Sequence, residues 1–182
     1  MKGSLYEGGI RVPFIFAAYN IGAENPFETG VAEDALVHVV DVFPTLAKLV
    51  GVETPELLSN LRRPGQPPNP LAIDGVPFLG VLRDPLNTGA REHMYAEEFS
   101  PGGADATLED VVAVRSLDYK LIFDRLADAP VEFVQYHADG SVVSLADPNL
   151  PPVDPTYLAI YDDLKEEYES ILKGLLYDSD EW

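Results

Sequence analysis

Short segments rich in apolar residues, in the second half of the chain, constrain the fold more than any other feature. From Arg91 onward, HMYAEEF, DVVAVRS and DYKLIF follow one another, with turn residues between the segments. Segments of this length and composition are typical of strands, which short connections join in antiparallel order. Two further segments, VEFVQY and SVVSL, flank HADG, where Asp139-Gly140 favours a tight turn. This half therefore predicts an antiparallel meander followed by a hairpin.

A long helix is predicted to follow the hairpin. Asp154-Pro155 is a typical helix start, since the aspartate can cap the first turn and proline fits the first helical position. Beyond it, apolar residues recur every three or four positions and form one stripe that would lie on the meander. The stripe consists of Tyr157, Tyr161, Leu164, Tyr168, Ile171 and Leu175.

The first half has a different pattern. The nearly continuous apolar run Ile10–Ala18 predicts a strand buried on both faces, and Pro13 places it at a sheet edge or bulge. Asp41 is a predicted helix N-cap and Gly51 the C-terminal stop. Within that helix, we predict one shared apolar face formed by Val42, Leu46, Leu49 and Val50.

These patterns predict two parts. Residues 1–88 form an α/β fragment, the edge of a large mixed sheet with helices, and residues 89–182 form a small α+β subdomain with an antiparallel sheet and a C-terminal helix. An apolar strand at the edge of an incomplete sheet invites self-association or a partner chain. A short turn and helix in IDGVPFLGVLRD precede the boundary.

The charge of the chain limits its partners. Acidic residues number 31 against 12 Lys and Arg, giving a net charge of -19. Such a surface repels phosphate backbones and anionic membrane surfaces, so we predict neither nucleic acid nor a membrane as a partner. No run reaches a membrane-spanning length, and no address signal is recognisable, so the compartment stays open. The absence of cysteine excludes disulfides and thiolate metal sites.

Histidine and acidic residues do not form a recognisable metal motif. His38, His93 and His137 are far apart and lack the spacing of paired ligands. Adjacent carboxylates such as Asp162-Asp163 and Glu166-Glu167 point in different directions on a helix, so solvation explains them better than a shared cation. We therefore predict no metal site within this chain.

One stretch carries a specific family resemblance. KGSLYEGGIRVPF resembles the K-G-x-x-Y-E-G-G-x-R-x-P signature of formylglycine-dependent (type I) sulfatases, the arylsulfatase-like branch of the alkaline phosphatase superfamily. Later elements agree in order: HVVDVFPTLAKLVGV, IDGVPFLGVLRD and VVAVRSLDYKLIF are similar to the family's D-hydrophobic-x-P-T-L, D-G-x-x-x-x-x-L-L and R-x-x-x-Y-K-L-I elements. The resemblance implies an incomplete alkaline-phosphatase-like fold and the C-terminal part of such an enzyme.

The resemblance also implies roles for individual residues. Lys2 falls on the family's lysine that contacts the sulfate group, where a compact ammonium can neutralise charge that builds on the sulfuryl oxygens. Glu7 and Arg11 lie four positions apart, and we interpret them as a structural pair that holds the turn and so aims Lys2.

Other parts of the family's machinery have no counterpart here. The C/S-x-P-x-R motif, whose Cys or Ser becomes formylglycine, is absent, and the Asp and Asn ligands of a calcium or magnesium ion would lie upstream of Lys2. The resemblance therefore implies that the complete enzyme contains formylglycine and the metal ion. It also implies a missing N-terminal catalytic portion as partner, and a sulfate ester as substrate.

Two other functions remain open from the sequence. Phosphonate and phosphate monoester hydrolases share the superfamily's scaffold, and a single lysine does not distinguish one tetrahedral anion from another. A non-catalytic module that binds an anionic glycan or a protein is the third hypothesis, for which the nine tyrosines give some basis. The helical spacing of the C-terminal tyrosines favours core packing instead.

Overall fold

Residues from both ends of the chain form one compact unit, and the residues between them form a second. The first unit combines Met1–Ile15 with His93–Trp182, and the second is Phe16–Glu92. The predicted division into 1–88 and 89–182 differs from this one, because an N-terminal segment packs on the C-terminal sheet. The computed structural model describes residues 5–17, 27, 30, 32, 34–52, 75–84, 86–87, 89, 91–100, 109–139, 141–145 and 154–177.

The first unit contains a five-stranded antiparallel sheet in the simplest possible order. Each strand pairs with the next along the chain, so the order is β1-β2-β3-β4-β5. The predicted meander and hairpin are confirmed. The strands are β1 (Met94–Ser100), β2 (Glu109–Arg115), β3 (Tyr119–Asp124), β4 (Ala129–Tyr136) and β5 (Val142–Ser144).

A long C-terminal helix covers one face of this sheet. The helix spans Pro155–Tyr177, as its start signal predicts, and its buried residues Tyr161, Leu164 and Tyr168 belong to the predicted stripe. The aromatic rings on the helix and the sheet interlock; the centroids of Phe123 and Tyr168 are 4.7 Å apart. This face forms the larger apolar core, in which the strands contribute Val112, Val114, Leu121, Phe123 and Phe133.

The opposite face of the sheet is covered by the N-terminal segment. Leu5 is buried against Ala113 and Ile122, and one helical turn, α1 (Glu7–Ile10), follows it. The central residues of β3 are consequently buried on both faces. Unlike the helix-covered face, this one also buries two cationic side chains, those of Arg115 and Lys120.

The predicted strand at Ile10–Ala18 is wrong for the residues that the structure describes. Residues 11–17 have no regular secondary structure, and the sheet of the first unit does not include them. Val12, Phe14 and Ile15 are exposed. A strand needs a neighbour for its backbone hydrogen bonds, and Pro13 lacks a donor, so apolar composition alone does not form one here.

The second unit contains three short helical elements within its described residues. A 3-10 turn at Val39–Asp41 leads into α2 (Val42–Leu49), and α3 (Leu79–Arg83) lies later in the chain. Counting these helices, the C-terminal helix is α4. Gly51 ends α2 with a φ of 76°, a conformation that favours glycine, so the predicted helix stop is confirmed. None of the helices in the described ranges combines the length and apolarity that a membrane span requires.

Hydrogen bonds of the Thr45 side chain help to orient α2. The Thr45 hydroxyl donates to the carbonyl oxygen of Asp41 (2.6 Å) and accepts from the Phe78 N–H (3.0 Å). Thr45 therefore faces the segment around Phe78. The predicted apolar face is only partly buried, because Leu46 and Val50 are 46% and 74% exposed.

Asp41 occupies the predicted N-cap position but does not cap α2 with its side chain. Its carboxylate, 1% exposed, accepts instead from the backbone N–H groups of His38 and Val76, at 2.8 Å each. It also pairs with the Arg91 guanidinium, whose Nε lies 2.8 Å from Oδ2. Gly75 permits this packing, since a Cβ there would clash with the Val40 carbonyl oxygen. Asp41 thus joins three separate segments of the second unit.

This network makes the second unit sensitive to acid. Burial raises the pKa of Asp41, but the hydrogen bonds from Arg91, His38 and Val76 and the charge of Arg91 outweigh it and lower the pKa below its usual value. Because the folded pKa lies below the unfolded one, the ionised carboxylate stabilises the fold above about pH 4, and this contribution is lost as the pH falls further.

We expect Asp41→Asn to lower the free energy of unfolding by about 3 kcal/mol at pH 7, because Arg91 loses a buried counter-charge. The difference from the parent protein should shrink at about pH 3. Urea unfolding at both pH values, followed by circular dichroism, measures it. Asp162→Asn, at an exposed position on α4, is the control and should change little. A pH-independent difference would contradict this assignment.

Candidate functional site

Two segments that carry the family resemblance meet on the face of the sheet opposite α4. Glu7 belongs to the YEGG segment, and Arg115 and Lys120 belong to VVAVRSLDYKLIF. The Glu7 Oε2 atom lies 2.9 Å from the Arg115 Nη1 atom, and Oε1 lies 3.4 Å from the Lys120 Nζ atom. One carboxylate therefore binds both cations.

The strand register explains why two cations lie together. Arg115 of β2 is paired directly with Lys120 of β3, so their side chains emerge on the same face of the sheet. Like charges in opposed positions repel, and the repulsion is stronger where water is excluded. A carboxylate that pairs with both cations adds two attractive interactions, which offset the repulsion between them. The Glu7 carboxylate pairs with both.

Lys120 is fully buried, at 0% exposure. Its ammonium donates to the Leu5 carbonyl oxygen at 2.9 Å, and lies 5.1 Å from the centroid of the Tyr136 ring and 5.7 Å from that of Tyr6. Burial lowers the pKa of Lys120, and the Glu7 carboxylate opposes this change. The Lys120 ammonium thus contacts both a backbone group, the Leu5 carbonyl, and a side chain, the Glu7 carboxylate, of the N-terminal segment.

Arg115 makes a second set of contacts around the same carboxylate. Its guanidinium carbon lies 4.8 Å from the centroid of the Tyr136 ring. Its Nη2 atom donates a hydrogen bond to the Leu117 carbonyl oxygen at 3.4 Å. The Nε atom is buried without a hydrogen-bond partner. With the guanidinium only partly satisfied, the pair with Glu7 is its principal polar contact.

Tyrosines and a second carboxylate complete the cluster. Burial, followed by the charge of Glu7, raises the pKa of Tyr136, so its hydroxyl stays neutral at physiological pH. The charge of Glu132 is the largest cause that raises the pKa of Tyr6. Glu132 has one buried oxygen without a hydrogen-bond partner. Glu7 and Glu132 together balance the charges of Arg115 and Lys120.

The predicted pair of Glu7 with Arg11 is not the one that the structure forms. The helical turn ends at Ile10, and Arg11 has extended backbone angles and an exposed side chain. Its backbone N–H donates to the Glu7 carbonyl oxygen, whereas the Glu7 carboxylate faces the sheet. Lys2 lies outside the residues that the structure describes, so its predicted sulfate contact stays a prediction.

Sequence reasoning missed Arg115 and Lys120. Both stand in the R-x-x-x-Y-K-L-I element, but residue type alone did not show that they face the N-terminal segment. One usable signal was the position of Lys120 inside the apolar run YKLIF. A lysine in the middle of a buried strand needs a specific partner, because an unpaired buried charge is costly.

Among its described residues, the first unit contains further polar clusters. His93 Nε2 contacts Asp163 Oδ2 of α4 at 2.9 Å, and Arg125 binds Asp110 and Glu97 at the other end of β1 and β2. Among the described residues, no group of three or more His, Cys, Asp and Glu side chains could hold a metal ion. These clusters connect strands and helix to each other.

The geometry around Glu7 is suited to positioning rather than to chemistry. Its charges are balanced, Lys120 is closed to solvent, and the described contacts contain no nucleophile beside a base. Shifted pKa values also arise in structural ion-pair networks. What the cluster accomplishes is to hold the Leu5–Ile10 segment on the sheet.

We expect Glu7→Gln to lower the free energy of unfolding by about 2 kcal/mol, because two charge-assisted hydrogen bonds lose their charge. Thermal unfolding followed by circular dichroism measures the loss. Glu166→Gln, an exposed position on α4, is the matched control and should stay within about 0.5 kcal/mol of the parent. Equal stability of the two variants would show that the Glu7 pairs contribute nothing measurable.

Comparison with known proteins gives a partial similarity. A protein named sulfatase from Formosa agariphila is 34% identical over 83 residues, which are 46% of this chain and 12% of that protein. No family model matches the chain, and no solved structure does. The chain thus spans a small part of the length of this relative, and the similarity supports a sulfatase-like relationship.

Proposed function

We propose that this chain is the C-terminal segment of a formylglycine-dependent, arylsulfatase-like sulfatase with an alkaline-phosphatase-like fold. The observation that carries the proposal is the partial identity to a sulfatase, together with the contact between the YEGG and R-x-x-x-Y-K-L-I segments. These two segments are far apart in the sequence, each resembles an element of the same family, and their side chains form one cluster of ion pairs. This agreement supports a shared architecture.

Lys2 is the residue through which the segment would take part in the reaction. Its ammonium would contact the sulfate group of the bound ester and neutralise the charge that develops on the sulfuryl oxygens as the ester bond breaks. An electrostatic contact of this kind is strongest where water is excluded. The lysine stabilises the transition state and forms no bond to the sulfur.

The rest of the catalytic machinery does not fit this chain. It contains no cysteine and no serine followed by x-Pro-x-Arg, and no cluster of metal ligands occurs among the described residues. Formylglycine and the calcium or magnesium ion therefore belong to an upstream portion of the complete enzyme. This N-terminal portion is the proposed partner, and a sulfate ester the proposed substrate.

The decisive experiment extends the native reading frame upstream of the Met1 codon and expresses the longest product. We expect it to encode C/S-x-P-x-R and to hydrolyse an aryl sulfate. Lys2→Ala in that protein should lower kcat by about 10² to 10³, the loss typical for removal of one transition-state contact. Lys48→Ala, at an exposed position on α2, is the matched control and should retain activity.

The alternatives give different results in the same assay. Preference for a phosphate or phosphonate monoester over the aryl sulfate would assign the protein to another branch of the superfamily. Full activity of the Lys2→Ala variant would remove the lysine from the mechanism. A reading frame without the C/S-x-P-x-R motif would contradict the proposed class of enzyme.

We expect no hydrolysis of an aryl sulfate by the purified 182-residue chain, with or without calcium or magnesium. The chain has no Cys or Ser within a C/S-x-P-x-R motif, and the proposed role of Lys2 is to contact the sulfate group rather than to attack the sulfur. Release of the phenol, followed by absorbance, is the measurement. Metal-dependent turnover by the pure chain would show that it contains a nucleophile of its own.

A further inference from the structure

Segment 5–10 binds the sheet of the first unit through contacts that lie within three residues of sequence. The buried Leu5 side chain packs on β2 and β3. Its carbonyl oxygen accepts a hydrogen bond from the Lys120 ammonium. The Glu7 carboxylate pairs with Arg115 and Lys120. The sheet therefore binds a short stretch of chain by an apolar contact, a backbone contact and a pair of opposite charges.

No short connection joins this segment to the strands that bind it. Between them runs the whole second unit, Phe16–Glu92. The contacts on the sheet are made by the segment itself, so they are the same whichever copy of the chain supplies it. Exchange of an identical element between two copies is a low-cost route to a dimer for this reason.

The residues that follow the segment are suited to act as a hinge. Residues 11–15 have no regular secondary structure, and Arg11 has extended backbone angles. In the single chain, Val12, Phe14 and Ile15 are exposed. An exchanged dimer brings the two copies of this extended stretch together at its two-fold axis. Pairing there covers apolar side chains that the single chain leaves in water, which favours the dimer.

The charge of the hinge also permits two copies to meet there. A net charge of -19 makes two chains repel each other over most of their surface. No acidic residue lies between Glu7 and Glu24, and Arg11 is a cation within this stretch. The hinge residues therefore add no negative charge to an interface. The Arg11 cation of each copy attracts the acidic surface of the other.

We propose that this chain forms a dimer by exchange of segment 5–10: the sheet of each copy binds Leu5 and Glu7 of the other, and residues 11–15 of the two copies pair at the two-fold axis. The carboxylate that compensates Arg115 and Lys120 then comes from the second copy. The interface is closed and symmetric, so association stops at two chains. The inference concerns assembly and does not depend on the proposed enzymatic function.

Two charge reversals test the exchange, because they match each other only between chains. Glu7→Lys places a third cation on its own sheet, and Arg115→Glu places a second carboxylate beside Glu7 of its own chain. In an equimolar mixture, exchange pairs the new lysine with the new glutamate and restores the native pair at the other site. We expect about tenfold more dimer in the mixture than in either variant alone, since a regained charge-assisted contact changes an association constant by about this factor. Sedimentation velocity measures the dimer, and native mass spectrometry should find one chain of each variant in it.

Arg125→Glu is the matched control for Arg115→Glu. Arg125 belongs to the same sheet unit but pairs with Asp110 and Glu97 rather than with the N-terminal segment. A mixture of Glu7→Lys with Arg125→Glu should therefore contain no more dimer than its components. The double variant Glu7→Lys/Arg115→Glu restores an ion pair within one chain. It should fold as the parent does, and circular dichroism checks that the reversed pair is tolerated.

Ile15→Ser tests the hinge separately. This side chain is 89% exposed in the single chain, so the substitution should leave the melting temperature unchanged. In the dimer the position is covered, so Ile15→Ser in both members of the charge-reversed pair should lower the association constant at least about tenfold. Leu126→Ser, at another exposed apolar position, is the control and should leave the amount of dimer unchanged.

Three results would overturn the inference: only monomers in the charge-reversed mixture, an equal amount of dimer in the Arg125→Glu mixture, or no loss of dimer with Ile15→Ser. If the double variant does not fold, the neutral variants Glu7→Gln and Arg115→Gln replace the reversals, because exchange still forms one native pair between these two chains. Monomers alone in that mixture would overturn the inference equally.

Discussion

Two cations buried on neighbouring strands need a counter-charge, and much of the first unit follows from how this need is met. The register opposes Arg115 to Lys120, which would be unfavourable without Glu7. Because Glu7 comes from the other end of the chain, its pairing brings α1 onto the sheet and buries Leu5. The same contacts close the second face of β2 and β3, which α4 does not cover. Charge compensation and apolar burial therefore depend on each other.

The two faces of the sheet illustrate different ways of making a core. Under α4, the packing consists mainly of aromatic and aliphatic side chains, and many substitutions of similar volume should be tolerated there. On the opposite face, a few polar contacts define one arrangement, and each depends on the others. Asp41 has the same part in the second unit, where it joins α2, Arg91 and the segment at Val76. Each unit thus contains a carboxylate that connects distant segments: Asp41, which is buried, and Glu7, which is partly buried.

The sequence predicted what local patterns encode. The strands after Arg91 and the helix from Pro155 follow from periodicity and turn residues, which act over a few positions. The partners of Glu7, Arg115 and Lys120, lie 108 and 113 residues away in the sequence. A pattern that spans a few positions cannot predict a contact at such a separation. Arg11 was favoured because it is near in sequence, although the helical turn ends before it. The exposure of Leu46 and Val50 could not be predicted for a related reason: Thr45 of α2 accepts a hydrogen bond from Phe78, 33 residues later in the chain.

The first unit is assembled from two stretches of chain, with Phe16–Glu92 between them. Such an arrangement carries a topological consequence. The second face of the sheet is complete only when the two stretches meet, so the unfolded chain must close the whole Phe16–Glu92 connection to reach it. The entropic cost of closing a flexible connection grows only with the logarithm of its length, by about 0.6 kcal/mol for each doubling. A change in the number of residues between Ile15 and His93 should therefore alter the stability of the first unit little.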